Sequence, residues 1–328
     1  MVERVYKLEG IVTAKGRIMQ SGTQKAGAHS LLPTKDVWFK DDVVPMPYIS
    51  ANSIRGKLRR LIMEDMCRQL GYKFKNDSVW HAFFGGGQLK GGGDGMIDAS
   101  WRQEIVAKIP PVSLWAFSLG NQMIEGKLIV FDMDICCEEN AVSIPEKYYK
   151  LCTSSFNQAI GSTFFTRRDD KQDGSVKDED GPAIQMKVEV QCIVPGTRFY
   201  HAFVLRHYPT LVEVSCLHRA IKLWNEYPTI GGKASSGYGQ VELGYDGVIH
   251  DQPYLDYLAA NRDGLVKYLD DMTAAFVRKS EKLAGKGKKS KVKEKEEKPG
   301  VNLLDFSGND RGVEGGQQAG TGATGDND

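Results

Sequence analysis

The stretch that decides the fold runs from Trp224 to Leu243, WNEYPTIGGKASSGYGQVEL. Leu217, Ile221 and Leu223–Trp224 lead into it at helical spacing, and Val241 and Leu243 alternate after it. The stretch therefore reads as the end of an amphipathic helix, a glycine-rich loop and a strand. Gly231, Gly232, Gly237 and Gly239 are interleaved with Lys233, Ser235, Ser236 and Tyr238. Glycines let backbone N–H groups approach an anion, Lys233 adds a cation, the serines add hydroxyls, and Tyr238 offers a face to a base. Taken alone, the same composition also suits a plain connection between a helix and a strand. Two nucleotide-binding motifs are excluded. A P-loop needs Ser or Thr after Gly-Lys and a glycine five places before that Gly. Here Ala234 follows Lys233, and Tyr227 stands five places before Gly232. A dinucleotide fingerprint opens a helix, whereas Gly237-Tyr238-Gly239 enters strand-like QVEL.

Working outward, 328 residues suffice for one large core or two smaller ones. No apolar run approaches the ~20 residues of a membrane helix, and MVERVYKLEG lacks a secretory apolar core. The six cysteines form no C-x-x-C, so free thiols in a reducing cytoplasm are expected, with no membrane partner. The histidines show no metal-ligand spacing, and no cofactor motif is present. The net charge of +1 hides a local pattern. Residues 279–298 hold nine Lys against four Glu, and 299–328 hold five acids against one Arg. Residues 1–278 are thus near neutral, and a nucleic-acid site must be a local patch.

Val5 to Ile18 predicts a first strand, and Met19–Pro47 a long connection in which Trp38–Phe39 dock. PYISANSIRGKLRRLIMEDMCRQL, Pro47 to Leu70, predicts a helix capped by Ser50, Asn52 or Ser53, with an Ile54, Leu58, Leu61, Ile62 and Leu70 stripe. Ser53, Arg55, Gly56 and Lys57 in its first turns, with Arg59 one turn beyond Arg55, suit a phosphate. They also suit a solvated face. Gly56 costs about 1 kcal/mol in a helix, which close approach of a backbone or ligand would explain. Trp80–Gly95 reads as a second glycine-rich loop, and MIDASWRQEIV and LIVFDMDICC as strands. Phe164–Gly181, with Arg167 and Arg168 at its base, reads as a protruding charged hairpin. MKVEVQCIV and TRFYHAFVLRH are strands joined at Pro195–Gly196, followed by a helix over 213–224 and a weakly helical 252–278. The composition beyond 279 cannot build a core and reads as disordered. The plan is α+β: a ferredoxin-like βαββαβ palm over 1–250 with long insertions, a helical extension over 251–278 and a charged tail over 279–328. Such an open sheet is the surface RNA-recognition folds use.

Three segments in this order resemble the CRISPR-associated RAMP superfamily. PYISANSIRGKLRRL resembles its first-helix motif, VEVQCIVPGTRFYHAFVL its strand–Pro-Gly–strand segment, and IGGKASSGYGQVEL its C-terminal glycine-rich loop; FFGGG…GMIDAS is also similar to a family segment. The resemblance spans roughly residues 4–250 and is strongest to the backbone subunit of a Class 1 effector complex, of type IV or type I-D. It implies a CRISPR RNA-binding protein that stacks head-to-tail along the guide beside other effector subunits and presents the guide to a target. It implies guide contacts by Ser53, Arg55, Gly56, Lys57 and Arg59, and by Gly232, Lys233, Ser235, Ser236, Gly237 and Tyr238. FTRRDD at 165–170 resembles the family's thumb, which places Arg167 and Arg168 on the RNA. Type III relatives cut target RNA with an aspartate before the first helix. Here Lys35 stands at that place, with Asp36 one residue off and Asp41–Asp42 farther on, so a subunit without catalysis is expected. The alternatives are a metal-dependent RNase using Asp36 or Asp41, and a repeat-processing endoribonuclease using His218 or His29.

Overall fold

In a computed structural model of the chain, the described residues are 4–20, 25–26, 29–87, 99–119, 122–167, 186–247 and 249–277. They fall in one unit spanning 1–284; a second unit, 285–328, lies outside them. In chain order the strands are β1 (Tyr6–Ala14), β2 (Lys25–Ala26), β3 (His29–Ser30), β4 (Thr34–Phe39) and β5 (Asp42–Ile49). Helices α1 (Ala51–Leu70), α2 (Asp77–Gly85), α3 (Ala99–Lys108) and α4 (Pro110–Trp115) follow. Then come β6 (Phe117–Leu119), β7 (Gln122–Ile124), β8 (Leu128–Val130), β9 (Met133–Ile135), β10 (Ile160–Arg167), β11 (Met186–Ile193) and β12 (Arg198–Leu205). Helix α5 (Leu211–Glu226), β13 (Val241–Tyr245), α6 (Gln252–Ala260) and α7 (262–277) complete the unit.

The central sheet has the order β13-β1-β12-β9-β5-β4, with β8 beside β9 on β12, and every pairing in it is antiparallel. Strand β1 alternates, burying Leu8, Val12 and Ala14, while β12 buries Phe199, His201, Phe203 and Leu205. α1 and α5 cover that face. α1 starts at Ser50, whose hydroxyl accepts the Asn52 N–H at 3.2 Å, and stops at Gly71 with φ 65°. α5 starts with a capping box between Thr210 and Glu213. The βαββαβ plan is thus present: β1, α1, the interrupted strand β8–β9, β12, α5 and β13. The chain is mixed α+β with a ferredoxin-like arrangement.

Several expectations change. The connection from Met19 to Pro47 contains the β4–β5 hairpin, turned by Lys40 (φ 49°) and Asp41 (φ 64°), the signature of a tight two-residue loop. Trp38 does not dock; it is 66% exposed. The segment 99–108 is helix, not strand: Ile105 is fully buried and Glu104 pairs with Lys108 one turn on at 2.5 Å. Trp80 belongs to α2, whose Asn76 cap accepts the Val79 N–H at 3.0 Å; 88–98 lie outside the described residues. The strands around Pro195–Gly196 do not pair with each other. β11 joins β10 in a second sheet, β10-β11-β3-β2, while β12 enters the central sheet. β10 and β11 pair antiparallel, and 168–185, which hold most of the hairpin expected over 164–181, lie outside the described residues. The segment 252–277 is firmly helical and packs on the main core through Tyr254, Leu258, Leu265, Leu269 and Met272. The tail from 279 lies outside the described residues.

Candidate nucleic-acid interface

The start of α1 and the glycine-rich loop face each other across a cleft of about 620 Å³, lined among others by Ser53, Gly56, Lys57, Arg60, Gly232 and Ala234. The loop is fixed by its glycines. Gly231 (φ 81°) and Gly239 (φ 79°) adopt backbone that favours glycine, and a Cβ would stand 2.3 Å from the Met19 carbonyl oxygen and 2.1 Å from that of Ile230. Gly232 N–H donates to Met19 at 2.7 Å and Gly239 N–H to Arg17 at 2.7 Å. Ser236, Gly237 and Tyr238 also spend their N–H groups on the loop's own carbonyls. Gly232, Gly237 and Gly239 thus spend their N–H groups within the fold of the turn. What faces outward is the Lys233 side chain with exposed Ser235 and Ser236. Lys233 lies over the Phe165 ring. Tyr238 does not offer a free ring. It packs with Met19, Val190 and Cys192, and its hydroxyl meets Thr163 Oγ1 at 3.3 Å.

On α1 the expected residues divide between two faces. Ser53 Oγ accepts from Gln20 Nε2 at 3.2 Å, and Lys57 donates to the carbonyl and hydroxyl oxygens of Thr229, each at 2.6 Å. An ammonium has three donors, so one is left for the cleft that Lys57 lines. Burial pulls Lys57 down to about 8. Among the described residues, nothing beyond the helix's own turn comes within 4 Å of a Cβ on Gly56, so this glycine leaves room in the cleft wall and admits no described neighbouring backbone. Arg55 and Arg59 turn inward. Arg55 donates to the carbonyls of Leu128 at 2.7 Å and Trp115 at 2.8 Å, and Arg59 also donates to Trp115. Burial lowers both guanidinium pKa values, that of Arg59 to about 10. Arg167 ends β10, but its side chain and all of Arg168 fall outside the described residues.

The helix terminus is partly satisfied from within. Asp132, in the break between β8 and β9, accepts the Ala51 N–H at 2.7 Å, and Gln20 Oε1 accepts that of Ser50 at 3.3 Å. Asp132 and Asp134 also flank Lys35, at 3.8 and 2.5 Å. Asp36, next to Lys35 along β4, is exposed and points from the opposite strand face; Asp41 sits in the hairpin turn. Among the described residues no group of three His, Cys, Asp or Glu converges as a metal site. His218 is a buried structural histidine: Nε2 meets the Tyr6 hydroxyl at 2.7 Å and Nδ1 accepts the His250 N–H at 3.1 Å. The His29 side chain falls outside what is described.

Arg60, Gln20 and Asn52 line the cleft without having been singled out as contacts, and exposed Arg17 stands beside the loop, 3.4 Å from Thr163 Oγ1. Arg60 was legible as a basic residue one turn past Gly56. Gln20 and Asp132 carried no signal, because only the fold brings them to α1.

No family model matches the chain, and no curated protein sequence matches it significantly. Among solved structures, the fold is similar to a chain of a type IV-B CRISPR complex, with a TM-score of 0.52 and 17% identity over 72% of this chain and 88% of that one. At this identity the likeness establishes shared fold.

Proposed function

We propose that this chain is a CRISPR RNA-binding backbone subunit of a Class 1 CRISPR effector complex, without cutting chemistry of its own. It works in the cytoplasm, in several copies along one guide, beside other effector subunits, and offers the guide for pairing with the target. The observation that carries the reading is the cleft where Lys57, Arg60 and the Lys233 loop converge, on a fold similar to a chain of a type IV-B CRISPR complex. Its cations and hydroxyls suit the sugar–phosphate backbone, which gives affinity independent of sequence. Arg167 and Arg168, whose side chains lie outside the described residues, join the proposed contact on the resemblance alone. The type IV assignment is favoured over type III because Lys35, held by Asp132 and Asp134, occupies the place of a cutting aspartate.

The test is binding of the purified chain to CRISPR RNA, to unrelated RNA of equal length, and to complementary target with Mg²⁺. The expected result is similar affinity for both RNAs, loss of affinity in Lys57→Ala and Lys233→Ala, and an intact target. Regular target cuts that vanish in Asp36→Ala overturn the reading, as does metal-free cutting of the repeat.

A further inference from the structure

Along α1 the cleft wall has two rows of residues, spaced one turn per step. Asn52, Gly56, Arg60 and Glu64 form one row, and Ser53, Lys57 and Leu61 the other. Both rows change character in the same order. The first turn carries two neutral hydrogen-bonding side chains, Asn52 and Ser53. Gly56 then carries none. Lys57 and Arg60 follow, and the Glu64 carboxylate ends the cationic stretch, which spans about one turn, ~5 Å.

The neutral pair is set up to meet a group that both donates and accepts. Asn52 gives its backbone N–H to Ser50 Oγ at 3.2 Å, and its exposed carboxamide has no partner among the described residues. Ser53 Oγ accepts from Gln20 Nε2 at 3.2 Å, while Gln20 Oε1 accepts the Ser50 N–H at 3.3 Å. The Gln20 carboxamide is thus held at both ends. It occupies a lone pair of Ser53 and leaves the Ser53 O–H to donate into the cleft. A phosphate only accepts. A ribose 2′-hydroxyl donates and accepts.

Gly56 is the gap between the neutral and the cationic turns. Across the cleft stand Gly231 and Gly232, so neither wall carries a side chain there. A glycine within a helix costs stability, and no described neighbour meets a Cβ on this one. A bound ring lodged against it accounts for that cost. The ring is not a base: none of the described residues lining the cleft is aromatic, so a base finds no stacking face.

We infer that a ribose sits over Gly56, with its phosphate on Lys57 and Arg60 and its 2′-hydroxyl on Asn52 and Ser53, so that the cleft takes RNA in preference to DNA. The inference rests on the phosphate-binding reading of the cleft and adds the side chains that set its specificity. Cations alone bind either backbone; the sugar contact separates the two.

The test uses the full chain and one sequence made as RNA, as DNA, and as 2′-fluoro RNA, which keeps the sugar pucker but cannot donate. Fluorescence anisotropy should show RNA bound about fivefold more tightly than either other form, the effect of one hydrogen bond. Asn52→Ala and Ser53→Ala should each narrow that preference by weakening RNA alone. Lys57→Ala should weaken all three forms alike. Gly56→Ala should raise Tm by about 2 °C through helix propensity, yet weaken every form about tenfold by filling the gap. A purely structural glycine would not give that pairing of signs. Equal affinity for RNA and 2′-fluoro RNA overturns the proposal, as does Asn52→Ala weakening all forms alike, or Gly56→Ala binding like the wild type. If no form binds, or Lys57→Ala has no effect, the cleft reading falls and takes this inference with it. If Lys57→Ala acts and the sugar makes no difference, only the inference falls.

Discussion

The Lys57 ammonium sits 2.6 Å from the Thr229 carbonyl oxygen and 2.6 Å from its hydroxyl, so one side chain ties α1 to the base of the glycine-rich loop. Trp224 Nε1 donates to the same carbonyl at 2.9 Å. Helix, loop and cleft wall are therefore a single hydrogen-bonded unit.

On the proposed reading, the burial of Lys57 makes RNA affinity depend on pH. Lys57 is charged below about 8 and neutral above it. A phosphate binds the charged form, so affinity should fall as pH rises from 7 to 9. Lys57→Arg, which stays charged, should flatten the profile. Fluorescence anisotropy at constant ionic strength measures this. A flat wild-type curve removes Lys57 from the interface.

The two faces of α1 should separate stability from binding. Arg55→Ala strips charge-assisted hydrogen bonds from the Leu128 and Trp115 carbonyls, at a cost of about 2–3 kcal/mol. Its Tm should drop by several degrees, with the salt dependence of RNA binding unchanged. Arg60→Ala should leave Tm alone and lower the salt slope by about 0.7, one phosphate on a single strand. The opposite pattern would return Arg55 to the RNA.

Asp65 is 2% exposed and is held by both Arg219 and Arg68. Asp65→Ala takes one carboxylate from half-buried Arg219, which keeps Asp251 at 3.1 Å, and should cost about 1–3 kcal/mol. Lys75→Ala breaks only an exposed pair with Asp270 and should cost about 0–1 kcal/mol. Urea titrations of both variants check the contrast.

Mild acid should destabilise the chain through two imidazoles. His201 is fully buried, with Nδ1 2.8 Å from the Tyr245 hydroxyl and Nε2 3.1 Å from the Phe131 carbonyl, and burial pulls it down to about 3. Burial also lowers His218. The unfolded chain takes up these protons first. Stability is thus fully present above about pH 6.5 and is lost as pH falls toward the depressed values, by up to ~1.4 kcal/mol per pH unit for each group. His201→Gln should weaken the fold at pH 7 and reduce the slope between pH 6.5 and 5. An unchanged slope would locate the acid sensitivity elsewhere.

Helices α6 and α7 should be indispensable. Tyr254, Leu258, Leu265, Leu269 and Met272 complete the main core. Ending the chain at residue 250 uncovers the sides of α5 and α1 that α6 packs on and should abolish cooperative unfolding. A sharp thermal transition in that truncation would show that the palm stands without them.

The periodic elements were legible because their signals are local. β1, α1, α5 and β12 follow from alternation, helical spacing and caps within the same few residues. Segment 99–108 misled because Ile105 and Val106 resemble strand residues, and only the helical spacing of Trp101, Ile105 and Ile109 decides otherwise. The cleft was half legible: spacing placed Arg55 and Arg59 on one face of α1 but did not say that the Trp115 and Leu128 carbonyls would claim that face. Asp132 and Gln20 reach α1 across 81 and 30 residues, and no local pattern encodes such meetings.

The turn at Pro195–Gly196 couples the two sheets mechanically. Gly196 N–H donates to the Ala14 carbonyl at 2.7 Å, Ala14 N–H donates to that of Thr197 at 2.8 Å, and Ile18 and Ile193 exchange hydrogen bonds just beyond. A load on the β10–β11 arms therefore arrives at a pinned fulcrum and passes into β12, the middle of the central sheet. There it acts along the eight-residue antiparallel ladder between β1 and β12, so the hydrogen bonds share it in shear and do not peel open one by one. A pull on these arms would therefore reach the β1–β12 ladder first.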